Sequence, residues 1–249
     1  MDILYIKGQP SKADDLELRC SLRSIARYGR NVGRVLVCGT CPDWLSDEVV
    51  KLRCADVYRG GKLTQAQKNC NILAKILYAV DNSDIGDEFL VSMDDHFYCR
   101  ETDFNAYPVY ARNRRRWGTQ LPENDRRSEY LSFLSDVRKT LESRGLPTLN
   151  FTLHRGKHIF RSDINACRKF LDRAVKKALP VECFVYLLNY RYSMAPFPYT
   201  AVLDVKITSS SQWQMTTDTD VFSTGDFSKR SKLAKLLSAK YNEKCKYEL

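Results

Sequence analysis

No apolar run in this 249-residue sequence approaches the roughly 20 residues of a membrane-spanning helix. The fingerprints of several enzyme classes are missing too. Gly60-Gly61-Lys62 lacks the spaced glycine and following Ser or Thr of a phosphate-binding P-loop, and there is no GxGxxG, GxSxG or HExxH. Hydride transfer and serine hydrolysis drop out on that basis. Metal-bound phosphate chemistry and transfer from a nucleotide donor survive. Cys38-Gly39-Thr40-Cys41 has no second CxxC and no spaced histidine pair to complete a zinc site. The nine cysteines, odd in number and scattered, read as small free core residues of a reducing compartment. Met1 leads straight into the strand-like Ile3-Leu4-Tyr5-Ile6 with no signal segment, which predicts a cytoplasmic protein without a membrane span. Neither a repeat nor a low-complexity linker interrupts the chain, so one domain over residues 1–249 is expected.

What the sequence does hold is material for a core and an excess of positive charge. Hydrophobic residues make up 43%, which argues against disorder. The formal net charge of +10 favours polyanionic partners, either nucleic acid or phosphorylated substrates. Much of the excess follows residue 110, in Arg112, Arg114, Arg115 and Arg116, then Lys169, Arg173, Lys176 and Lys177. Arg114, Arg115 and Arg116 beside Trp117 form the predicted nucleic-acid contact, because guanidinium groups pair phosphates and aromatic rings stack on bases. A merely solvated basic face is the competing explanation.

The order of segments predicts an α/β fold. Strands at Asp2–Ile6 and Val35–Val37 flank a helix carrying Leu18, Leu22 and Ile25 on one face, the βαβ signature of a mostly parallel sheet. Ser11 or Asp14 is the expected cap of that helix. A second helix over residues 64–80 leads into the buried strand Phe89-Leu90-Val91. Residues 99–125 read as a long excursion and 126–144 as a helix ended by Gly145 and Pro147. Leu149 to His154 alternates as a strand would, and Asp163 stands where it would cap the next helix. A β-rich stretch from Tyr199 to Ile207, then Trp213 to Phe222, and a lysine-rich helix close the chain. The acidic pair Asp94-Asp95 and then His96 end the Phe89 strand, and ligands bind outside the carboxyl ends of strands in open α/β sheets. Two adjacent carboxylates repel each other, and a hard divalent cation bridging to a substrate phosphate relieves that repulsion. A helix cap or a solvated turn accounts for an Asp-Asp pair equally well. Arg19 and Arg23, four apart near a strand end, are placed to reach a diphosphate; Lys75 and His154 complete the candidate site.

Leu16-Glu17-Leu18-Arg19-Cys20-Ser21-Leu22-Arg23-Ser24-Ile25, then Arg34-Val35-Leu36-Val37, then Met93-Asp94-Asp95-His96-Phe97 are similar to the signature of the Stealth family of sugar-phosphate transferases. The chain also resembles bacteriophage-encoded transferases of GT-A-like fold, over residues 1–100. The resemblance implies a GT-A-like sheet flanked by helices, with residues 1–98 holding a nucleotide-sugar and 99–249 the acceptor. It implies that Asp94 and Asp95, joined by His154, hold Mn²⁺ or Mg²⁺ against the donor diphosphate. Tyr5, Lys7 and Gly8 meet the nucleotide of a donor such as a UDP-sugar, and Arg19, Arg23 and Lys75 offset leaving-group charge. The expected activity is therefore metal-dependent glycosyl transfer, with a hydroxylated base in phage DNA as one acceptor and the host cytoplasm as the location of a phage enzyme. Two alternatives stay open: sugar-1-phosphate transfer in polysaccharide synthesis, and a non-catalytic nucleic-acid-binding protein.

Overall fold

The computed structural model describes residues 1–9, 11–113 and 118–249. Arg114, Arg115, Arg116 and Trp117, the predicted nucleic-acid contact, lie outside the described residues. The first part of the chain runs β1 (Asp2–Lys7), α1 (Leu16–Tyr28), β2 (Gly29–Arg30), β3 (Val35–Gly39), β4 (Val49–Arg53), α2 (Gln65–Asn82), β5 (Glu88–Met93), β6 (His96–Tyr98), β7 (Thr102–Asp103) and β8 (Tyr110–Arg112). It continues with α3 (Glu129–Glu142), β9 (Lys157–Phe160), α4 (Arg161–Lys177), α5 (Cys183–Met194), β10 (Thr200–Val202), β11 (Lys206–Ile207), β12 (Val221–Thr224) and α6 (Lys232–Lys240).

The main sheet has the order β4-β3-β1-β5-β9. Its first four strands are parallel and β9 joins β5 antiparallel, so the chain is α/β with a largely parallel sheet. Alternation along β1 splits the core in two. Leu4 and Ile6 pack with Leu73, Ile76 and Leu77 of α2, whereas Ile3 and Tyr5 pack with Leu18, Leu22 and Ile25 of α1. Both faces being covered is why the strands read as unbroken apolar runs. A smaller sheet, β11-β12-β6, continues from the acidic turn after β5 and carries the end of β12 towards the ends of the parallel strands.

Several expected boundaries shift for local reasons. The helix predicted at 64–80 is α2, and Thr64 opens it with a capping box: its side chain accepts from Gln67 N and the Gln67 side chain accepts from Thr64 N. α1 is capped neither by Ser11 nor by Asp14; Asp15 holds the cap position with a left-handed backbone and makes no side-chain cap bond. α4 begins at Arg161, so Asp163 lies in its first turn and pairs with Arg191 instead of capping. The strand expected at Leu149–His154 is a loop, and the edge strand comes later, as β9. Side chains take the backbone groups a ladder would need: Leu149 N donates to Asn189 Oδ1 and Thr152 N to Asn150 Oδ1. Among the described residues, no helix is long and apolar enough to cross a membrane.

Candidate functional site

β1 and β5 are neighbours in parallel register, with Ile6 opposite Met93, so the next residues on each chain, Lys7 and Asp94, emerge side by side at the carboxyl edge. The Lys7 ammonium lies 3.0 Å from Asp94 Oδ2, 3.0 Å from Asp15 Oδ1 and 3.0 Å from Gln9 O. Three acceptors match the three protons of an ammonium, and the group is buried. Burial on its own lowers the Lys7 pKa, but Asp94 and Asp15 outweigh it and hold the pKa above its ordinary value. Gly39 makes this close approach of β3 to β1 feasible. Its φ is +127°, and a Cβ there would sit 1.9 Å from Lys7 O.

Asp94 and Asp95 occupy the tight turn between β5 and β6. Enclosure and the adjacent Asp94 carboxylate push Asp95 up to about 7, against a smaller pull downwards from Lys206. Glu17, in the first turn of α1, is also raised by burial and by Asp94, although Ser11 Oγ donates to its Oε2 at 2.6 Å. His96 is buried behind the turn, where Met93 N donates to its Nδ1 at 3.3 Å. Burial and Lys157 lower its pKa well below the ordinary value, so it is a neutral ring that shapes the turn.

Asp95 stands where two cavities meet. A cleft of about 620 Å³ lies over the ends of the parallel strands, walled by Lys7, Gly8, Glu17, Asp94, Asp95, Lys75 and, from the other side, Thr224 to Phe227. A second pocket of about 240 Å³ shares Lys68, Ile72, Met93 and Asp95 with it and is closed by His154, Arg155, Lys157, Glu182, Phe184 and Lys206. Thr224 borders the cleft, and its buried Oγ1 has no hydrogen-bond partner among the described residues. In the second pocket, His154 Nδ1 is 2.5 Å from Asp204 Oδ2, which leaves Nε2 facing Lys206 Nζ at 3.5 Å. Burial alone would raise the Asp204 carboxyl. His154 and Arg112 override it and hold the group well below the usual carboxylate range.

The predicted residues divide. Lys7, Gly8, Lys75, Asp94 and Asp95 come together around the cleft. Lys75 is not free there: it is buried and ion-paired to Asp56. Tyr5 is a core residue instead of a nucleotide contact, because it lies on the α1 face of β1 with Ile3 and its hydroxyl turns inwards to Ser21 Oγ at 2.9 Å. Arg19 and Arg23 do not reach the cleft. Their face of α1 looks towards the C-terminal segment, where Arg19 Nη1 lies 3.0 Å and Arg23 Nε 2.6 Å from Glu248. Arg23→Ala should therefore leave donor affinity unchanged and lower thermal stability by about 1–3 kcal/mol, the usual worth of hydrogen bonds to a charged group. Donor titration and thermal unfolding of that variant check both halves. His154 is not drawn into a three-residue ligand group with Asp94 and Asp95 among the described residues; Asp204 holds its Nδ1 in the second pocket. Glu17, Thr224, Asp204 and Lys206 were not singled out from the sequence; Gly225 directly after an apolar strand was the available signal for Thr224.

Asp94, Asp95 and Glu17 present only oxygen, and Lys7 is the one Lys or Arg within 4 Å of any of them among the described residues. That donor set fits a hard divalent cation. No group of three or more His, Cys, Asp or Glu that could hold an ion is drawn together among the described residues. A cation here would take its remaining oxygens from a ligand phosphate, as Mg²⁺ commonly does. Comparison with known proteins finds no family model and no curated protein that matches the chain.

Proposed function

We propose that the chain is a nucleotide-sugar-dependent glycosyltransferase of GT-A type, with the donor in the larger cleft and the acceptor in the smaller pocket. The observation that carries this reading is the position of Asp95, shared by the two cavities at the carboxyl end of a parallel sheet. A group that leaves one ligand and joins another has to pass such a junction. Its volume suits one sugar ring or one nucleobase, which keeps a hydroxylated base of DNA among the acceptors to be tested.

The residues divide the work as follows. Asp95, with Asp94, would hold Mn²⁺ or Mg²⁺, and that ion would supply positive charge to the departing diphosphate. Lys7 fixes the Asp94 carboxylate and neutralises one charge of the acidic pair. Thr224 offers its hydroxyl to the donor. On the acceptor side, Asp204 orients His154 by accepting the Nδ1 proton, so that Nε2 can take a proton from an acceptor hydroxyl. Lys206 Nζ lies 3.5 Å from Nε2, on the side where the acceptor would enter.

The test is a panel of UDP- and GDP-sugars with Mn²⁺, scored by nucleotide release with and without acceptor. Wild type should turn over one donor. His154→Ala should lower acceptor-dependent release by roughly 10²–10⁴-fold, the usual worth of a general base, while leaving donor affinity in place. Retention of the donor phosphate on the product would identify sugar-1-phosphate transfer at the same site. No release from any donor would remove the transferase reading.

A further inference from the structure

α4 carries a positively charged stripe on the side away from the core. Lys169, Arg173, Lys176 and Lys177 are all exposed, and none has an ion-pair or hydrogen-bond partner among the described residues. At 3.6 residues per turn the four fall within about 100° of the helix circumference, so they form one stripe. Asp172 and Asp81 both pair with Arg168, and the one negative charge left over is outnumbered by the four cations. The opposite face of the helix, with Ile164, Cys167, Leu171 and Ala174, is buried in the main core.

We infer that this stripe is a docking surface for the phosphate backbone of nucleic acid. Residues 169, 173 and 176 or 177 advance about 6 Å at each step at 1.5 Å per residue, a spacing comparable to that of successive phosphates on one strand. Protein partners fit poorly, since the stripe contains no apolar anchor of the kind interfaces bury. A bilayer fits poorly as well, because an interfacial helix needs its apolar face free and that of α4 is already covered. The stripe is also joined to the cleft. Tyr58 OH donates to Val175 O at 2.5 Å, and the same connection contributes Asp56 and Leu63 to the cleft wall. Lys62, exposed on that connection, adds a further positive charge. The docking itself does not depend on the transferase reading.

Fluorescence anisotropy of a labelled 20-base-pair duplex and its single strand, between 50 and 200 mM salt, tests the inference. Lys169→Glu/Arg173→Glu/Lys176→Glu should weaken binding at least tenfold and flatten the log–log salt slope by roughly 3, about 0.9 for each lost phosphate contact on duplex. Lys232→Glu/Lys235→Glu/Lys244→Glu removes the same charge elsewhere and should cost much less. Circular dichroism confirms that both triple variants are folded, and donor-only nucleotide release should be the same in both. Absence of binding by wild type at 50 mM salt, equal losses in the two triple variants, or tighter binding of heparin than of either nucleic acid would overturn the inference.

Discussion

Asp95→Asn is expected to abolish sugar transfer and, at pH 8, to raise the melting temperature by about 4–8 °C. Enclosure and Asp94 lift the Asp95 carboxyl from 3.8 to about 7. A carboxyl raised in the folded state binds its proton more tightly there than in the unfolded chain. Its stabilising contribution is therefore complete below about pH 4 and is lost as the pH rises towards about 7. The full shift sets a ceiling of about 4 kcal/mol. The side chain keeps 25% of its surface open, so about half of that is expected. At roughly 2–4 °C per kcal/mol for a chain of this size, the gain is several degrees. Asparagine imitates the protonated acid, so the advantage should shrink to nothing near pH 4. Thermal unfolding of both proteins across pH 4–8 is the measurement, and parallel curves would show that the carboxyl titrates normally.

Lys7→Met is expected to destabilise the protein by about 3–5 kcal/mol, because it leaves two carboxylates facing an empty ammonium position in a buried setting. Lys7 is 1% exposed, and Asp15 and Asp94 both lie 3.0 Å from it. The melting temperature should fall by roughly 10 °C. Removing the stranded charge as well, in Lys7→Met/Asp94→Asn, should recover a substantial part of the loss, since the neutral amide no longer needs a cation. Equal stability of the single and double variants would show that Lys7 contributes through packing and not through the acidic turn.

The acidic turn was legible because its signal is local: an apolar strand, then two aspartates, at the end where α/β sheets bind ligands. The same holds for α2, whose cap and apolar stripe are both short-range. Arg19 and Arg23 were misplaced for a reason local spacing cannot reveal. Their helix face is decided by a partner more than 200 residues away, Glu248. Glu17, two residues before Arg19, is the α1 side chain that lines the cleft. Asp204 and Thr224 come from short strands and loops whose apolar pattern is too brief to fix their direction, and they enter the site only through pairing of β12 with β6 and the reach of the Asp204 carboxylate to His154. His154 was noticed, but its partner Asp204 was not, because it lies 50 residues further along the chain.

Calorimetric titration of UDP into the protein with and without Mn²⁺, for wild type beside Asp95→Asn and Thr224→Val, addresses the central claim most directly. If the cleft is built for a nucleotide diphosphate held through a cation, wild type binds UDP with Mn²⁺ present, Asp95→Asn loses that dependence, and Thr224→Val binds about tenfold more weakly. UDP binding that is absent from wild type, or identical in all three proteins and indifferent to Mn²⁺, would contradict the account.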